Sequence, residues 1–508
     1  MIFKRTGQFG FLLLTLGCIV LGQSIVQANT QSRNNFLGSL FPPGDTPRLT
    51  GAKLGRQSIN IMKSPSDRSP IRQYAARTQA SAVSLSSSMV QLGLALFHDK
   101  NLSNPPGQSC ASCHSAPEAF TFPDAVTNAS SGIAPGAVPG RFGNRLPPSV
   151  TYAKFSPPGP YYDPNLTAYA GGQFWDGRVI NLTQQAQKPF FNPNEMDDIV
   201  HNVADSGLLA QKIQSGANAQ LFEKVFGANA FNDSPQVNLS RVGQAIAAFE
   251  SIKAVSPFSS KYDDYLTGRT KLSQSEMNGL RLFTGSATGR PGGPANYKSA
   301  QCVLCHGIPT DPSTGPDIFS NFCYANIGTP RNLHNPFYYQ TNQATDPLGY
   351  NPQGINFVDL GLGDFLYPAA GLPPGNAGKG NNGQGDYLAI NGTFKAPSLR
   401  NVDKRPYPSF PRRYMHNGAF TSLKQIVHFY NTRNLTTKPR EVIDFTQPDP
   451  YAGLIGKPLW PPPEYPSSVT LQNASGQPGS ANAQVGNLGL TPQEEDDLVS
   501  FLKTLTDR

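Results

Sequence analysis

Apolar positions recur at helical spacing in only a few stretches of this chain, and those stretches share a design. Leu423, Ile426, Val427 and Tyr430 fall at i, i+3, i+4 and i+7, one face of a helix that would open after a Thr421 cap. His428 lies two residues before Tyr430, about 200° around the helix, and is expected to point away from that face. Thr491-Pro492-Gln493-Glu494 has the spacing of a capping box with proline at the first helical position, opening an amphipathic helix through Leu498, Phe501, Leu502 and Leu505. Ser273 and Glu276 repeat the box ahead of Leu280-Arg281-Leu282-Phe283, and the same apolar step occurs earlier as Leu94-Ala95-Leu96-Phe97. The pattern predicts a mainly α chain built from two helical units. Long Gly/Asn/Pro stretches at 369–385 and 461–489 read as surface loops.

The longest apolar run, Phe9 to Leu21, follows Lys4 and Arg5 and precedes Val26-Gln27-Ala28. It is shorter than the roughly 20 residues a membrane span needs, so it predicts an export signal cleaved after Ala28 rather than an anchor. Lipid attachment at Cys18 is disfavoured by Thr15. Residues 29–85, rich in Ser, Gln and Arg without periodicity, are expected to form a mobile lead-in. Across 508 residues, 49 Gly and 47 Pro demand much loop, while only 15% charged residues and 30 Phe argue against wholesale disorder and coiled coil. The net charge of +8 comes with no Lys/Arg run, so nucleic acid is not an expected partner.

Four of the six cysteines define the chemistry. Cys110-Ala111-Ser112-Cys113-His114 and Cys302-Val303-Leu304-Cys305-His306 each have the form of a c-type haem attachment site. Two thiols at this spacing reach the two vinyl groups of one porphyrin, and the adjoining imidazole becomes the proximal iron ligand. A four-cysteine zinc site, a thioredoxin-like pair or two disulfides would not need a histidine after each pair. Cys323 is left over and reads as a buried thiol. Two covalently bound haem c groups are expected, in cytochrome-c-like domains spanning 86–255 and 256–508.

Further motifs carry a resemblance. Phe174-Trp175-Asp176-Gly177-Arg178, Gln185-Ala186, Asn192-Pro193-Asn194-Glu195-Met196, Lys395-Ala396-Pro397-Ser398-Leu399-Arg400-Asn401 and Tyr414-Met415-His416-Asn417-Gly418 occur in that order around the two haem sites. Over roughly residues 90 to 435 and the last helix, the sequence resembles the bacterial diheme cytochrome c peroxidase family, including its MauG-type branch. The resemblance implies peroxide chemistry at the N-terminal haem, on His114, and electron handling at the C-terminal haem, on His306. Glu195 matches the family's distal glutamate, a carboxylate suited to accept and return a proton during O–O cleavage. Gln185 matches its companion, Pro189 a proline crowding the same pocket, and Trp175 the tryptophan between the haems. Arg400, in the fourth motif, is counted with the cofactor-binding residues.

Two departures from typical members lean toward the MauG-type branch. No histidine lies between His114 and His201 to close the first iron's sixth position, with His98 and His201 the nearest substitutes by sequence. Fourteen residues after His416, where typical members place a methionine, stands Tyr430, which is expected to be the second iron's sixth ligand, with Met415 as the next choice. A tyrosinate there would stabilise the ferric state. Calcium between the domains is left open, because Tyr152 occupies the expected asparagine position and extra residues separate Val402 from Tyr414.

The resulting expectation is a periplasmic peroxidase that reduces hydrogen peroxide with electrons from a small redox protein, or that oxidises a partner protein as MauG-type members do. A homodimer is implied by analogy alone. A diheme electron carrier without peroxide chemistry is the alternative, and oxygenation of an organic substrate a third reading without a pocket signature.

Overall fold

The computed structural model describes residues 87–166, 168–201, 203–291, 297–309, 315–344, 346–366, 390–433, 460–465 and 485–508. The expected signal, the lead-in, Cys18 and most of the two long loops lie outside the described residues. Helices dominate, with three short antiparallel pairs: β1 (Tyr161–Asp163) with β2 (Ala168–Ala170), β3 (Ile199–Val200) with β4 (Val203–Ala204), and β5 (Tyr324–Ala325) with β6 (Phe394–Lys395). Among the described residues no helix is long and apolar enough to cross a membrane.

Six helices position the site: α1 (Ser88–His98), α2 (Cys110–Cys113), α3 (Pro235–Glu250), α4 (Gln274–Thr284), α5 (Leu423–Thr432) and α6 (Pro492–Lys503). They organise two principal cores. The first gathers Leu92, Leu96 and Phe97 of α1 with Val242, Ile246 and Phe249 of α3, and Cys110 packs against it. The second gathers Leu282 and Phe283 of α4 with Leu498 and Phe501 of α6 and Val427 of α5, and Cys302 packs against it.

In each half, the helix ahead of the cysteines crosses the half's long or terminal helix at a glycine. A Cβ on Gly93 would stand 1.8 Å from the Ala245 carbonyl oxygen, and one on Gly279 would stand 2.0 Å from that of Asp497. No side chain fits between backbones that close, so the crossings are set by these two residues.

The boxes at Ser273/Glu276 and Thr491/Glu494 form as predicted, each with reciprocal side-chain to backbone bonds. The α5 cap differs by one residue. Ser422 accepts from the Gln425 amide, while the side-chain carbonyl of Gln425 accepts from the Thr421 amide. His428 is buried as well, donating through Nδ1 to Glu495 at 2.7 Å. α5 is sandwiched between the second core and α6, so its opposite face is covered too, which periodicity along one segment does not register.

Candidate active site

The two Cys-x-x-Cys-His segments sit in matching frames. His114 donates from Nδ1 to the Phe120 carbonyl at 2.9 Å and also meets the Pro148 carbonyl. His306 donates from Nδ1 to the carbonyls of Phe319 and Pro397, both at 3.1 Å. Phe120 and Phe319 share a left-handed backbone, φ 55° and 56°, which turns each carbonyl toward its histidine. Spending Nδ1 on a carbonyl fixes the tautomer and leaves Nε2 for a metal. Burial lowers both imidazoles, His306 to about 4, keeping them in the neutral, ligating form. None of the four cysteines is in a disulfide. Burial pushes Cys113 and Cys302 up to about 12.

The residues fit a haem at each segment. Buried polar atoms without a hydrogen-bond partner stand beside both: Gln108 Oε1 and Glu250 Oε2 at the first, Gln301 Oε1 at the second. Such orphaned atoms inside a protein are those a bound polar group satisfies.

Glu195 faces the first segment. Its loop is folded by the Met196 amide donating to Pro189 O at 3.2 Å and the Glu195 amide to Asn192 O at 2.9 Å, and the Lys188 amide donates to Gln185 O. Gln185, Pro189 and Glu195 therefore stand on one continuous turn. The Asn192 side-chain amide donates to Glu195 Oε1 at 2.7 Å. The Glu195 charge pushes both Cys110 and Cys113 up. Burial raises the Glu195 carboxyl itself, against the opposing pull of the Arg178 guanidinium and the Asn192 amide. A carboxyl balanced in this way can both take and return a proton.

Trp175 sits where the halves meet. Its indole N–H donates to Leu146 O at 2.8 Å, its own carbonyl accepts from the Lys395 amide at 2.9 Å, and the Leu146 amide donates to His416 O at 2.7 Å. Lys395 is a half-buried amine lowered by desolvation to about 7. His98 and His201 are exposed, and His98 spends Nδ1 on the Leu94 carbonyl of its own helix.

Tyr430 packs against the second core, facing Cys305 and Cys302, whose thiols with burial push its phenol up while Arg433 opposes them. Met415 packs against the same core. Arg400 is tied into the frame of the second segment. Its guanidinium makes a bidentate pair with Asp263, at 2.9 and 2.8 Å, and Nε donates to the Asp317 carbonyl. Those bonds brace the 317–319 and 397–400 segments that supply the two His306 acceptors, so Arg400 supports the second site from behind. Tyr152 is fully buried, donating to Asp507 at 2.7 Å and accepting from the Phe258 amide at 2.9 Å. Among the described residues no cluster of three or more His, Cys, Asp or Glu could hold a metal ion. The extra residues before Tyr414 tie the halves together: Arg413 donates to the carbonyls of Asn128, Ala129 and Ser130 at the end of a first-half helix. Cys323 is buried and its thiol hydrogen-bonds the Cys305 sulfur.

Sequence reasoning missed Glu250. It is 4% exposed, is pushed by desolvation to about 8, and acts on Cys110 from the end of α3. An acid continuing the Val242, Ile246, Phe249 face of a helix was the available signal.

With this geometry, similarity to known proteins is specific. A family model for di-haem cytochrome c peroxidase matches residues 87–271. Methylamine utilization protein MauG of Paracoccus denitrificans is 32% identical over 435 residues, 85% of this chain and 92% of that protein. Cytochrome c551 peroxidase of Nitrosomonas europaea is 31% identical over 344 residues, 67% of this chain and 71% of that protein. The crystal structure of the diheme peroxidase BthA from Burkholderia thailandensis aligns with a TM-score of 0.61 at 28% identity, covering 85% of this chain and 88% of that one.

Proposed function

The chain belongs to the di-haem cytochrome c peroxidase family, in its MauG-type branch, and on that premise we propose how its two halves divide the work. It is an oxidoreductase acting on hydrogen peroxide. The first half, 86–255, would carry one haem through Cys110 and Cys113 with His114 as iron ligand, and is where peroxide is cleaved. The second, 256–508, would carry the other through Cys302 and Cys305 with His306 and Tyr430 as iron ligands, and handles electrons. When bound, the haem supplies the electrons that peroxide cleavage consumes.

The protein's own part is proton movement and exclusion of water. Glu195 takes a proton from one peroxide oxygen and delivers it to the departing oxygen, while Gln185 and Pro189 bound the space in which this happens. Trp175, hydrogen-bonded on both sides of the junction, carries charge between the halves. Electrons enter from a small redox protein or from a partner protein whose side chain is oxidised, the protein acting in the periplasm after cleavage at Ala28.

The observation that carries this reading is the half-buried Glu195 carboxyl beside the first cysteine pair. Replacing it by glutamine keeps shape and removes the base. Glu195→Gln is expected to lower peroxide turnover by about 10²- to 10⁴-fold. Haem content, read by absorbance, should be unchanged. Turnover within a factor of two of the parent would sink the proposal. Tyr430 is tested separately by cyanide titration of the resting protein, which should fill one haem of two and, in Tyr430→Ala, both.

A further inference from the structure

Val138-Pro139-Gly140-Arg141 closes as a tight turn, the Arg141 amide donating to Val138 O at 3.2 Å, with proline at its second position and glycine, φ +87°, at its third. Pro135 and Phe142 pair across the base of this hairpin. The hairpin lies against the loop that bears Glu195. The Ala137 amide donates to Glu195 O at 2.6 Å, and a Cβ on Gly136 would stand 2.7 Å from Asn194 O. Arg141 leaves the turn buried, with both edges of its guanidinium occupied. Nη1 donates to Pro193 O at 3.2 Å and to Asp197 Oδ1 at 3.0 Å, two residues to either side of Glu195. Nε donates to both oxygens of Asp346, at 2.9 and 2.7 Å, and Nη2 meets Asp346 Oδ1 at 2.6 Å. Asp346 belongs to the second half, where it accepts from the Gly349 amide at 3.1 Å. Gln340 of the same segment runs parallel to this link: its side-chain carbonyl accepts from the Phe142 amide, and its amide donates to Gly349 O at 2.8 Å and reaches Asn194 Oδ1 at 3.5 Å.

We infer that Arg141 is a positioning residue for peroxide cleavage: with one edge on the Glu195 loop and the other on Asp346, it lets the second half set where the Glu195 carboxyl stands. This rests on Glu195 being the base. A planar guanidinium held at both edges has one position, and a lysine, a single point of charge, could not meet Pro193, Asp197 and Asp346 together. The Asp346 side chain is 32% exposed, so its ion pair adds little to overall stability. Placement is another matter, because a proton passes only between heavy atoms about 3 Å apart and a displacement of about 1 Å costs about 10²-fold.

The test compares Arg141→Lys and Asp346→Ala, each alone and combined with Glu195→Gln, as haem-loaded proteins. Arg141→Lys should lower peroxide turnover by about 10- to 100-fold, and Asp346→Ala, which leaves the loop edge in place, by about 3- to 10-fold. In the Glu195→Gln background each should cost less than about twofold, because no base is left to place. A second readout needs no turnover: hydrogen exchange across 192–198 in the resting protein should quicken in both variants while α4 keeps the parent's rates. Parent-like turnover in both variants, losses of equal size with and without Glu195, or loop exchange at the parent's rate overturn the inference and leave the Glu195 reading standing. Active Glu195→Gln overturns both.

Discussion

The two halves are one construction furnished for two purposes. Each has a helix bearing glycine at a close crossing, Gly93 in α1 and Gly279 in α4, followed four residues later by a buried phenylalanine, Phe97 and Phe283. Each then presents a Cys-x-x-Cys-His whose imidazole is tethered to a phenylalanine carbonyl in left-handed backbone and to a proline carbonyl. The halves part in what stands beside that frame: a carboxyl, Glu195, by the first cysteine pair and a phenol, Tyr430, by the second. On the proposed reading, a fixed mount for the imidazole and a variable neighbouring group let one architecture serve two chemistries.

The comparison can be broken most severely at its shared element. Gly93→Ala and Gly279→Ala should each destabilise by about 2 kcal/mol, because overpacking at a backbone crossing costs about 3 and the helical gain from alanine returns about 1. Denaturant midpoints check this, and unequal costs would show that the crossings are not equivalent. Acid should distinguish the halves. The His428 and Asn431 bonds, with Lys424, hold Glu495 below its ordinary range against the burial that would raise it. Its contribution is therefore present above the unfolded glutamate pKa and is lost as pH falls through the lower folded value. Hydrogen exchange between pH 6 and pH 3 should show α6 loosening more than α1, and Glu495→Gln should remove the difference. The smallest effect concerns the caps. Ser273→Ala should cost about 1 kcal/mol, and Ser87→Ala, whose hydroxyl accepts from the Val90 amide at 3.2 Å without a reciprocal partner, a few tenths less.

Much of this plan was legible in the sequence. The two Cys-x-x-Cys-His segments, the boxes at Ser273 and Thr491 and the inward face with Tyr430 are set by local spacing, and local spacing survives folding. The repeat was visible as Leu-x-Leu-Phe, but the preceding Gly93 and Gly279 became meaningful only with Ala245 and Asp497, far along the chain, lying across them. The bonds of His428 and Arg400 were hidden for the same reason. Their partners, Glu495 and Asp263, are brought by tertiary packing, and no window around either residue contains them. Glu250 was passed over because an acid at a helix end ordinarily faces solvent.

Trp175 offers its indole N–H to the Leu146 carbonyl, an acceptor too weakly basic to carry the proton away. An electron removed from this ring would leave the proton where it is. Traffic between the halves is thus expected to run at the same speed in heavy water as in light, whereas cleavage at Glu195, which moves a proton, is expected to slow.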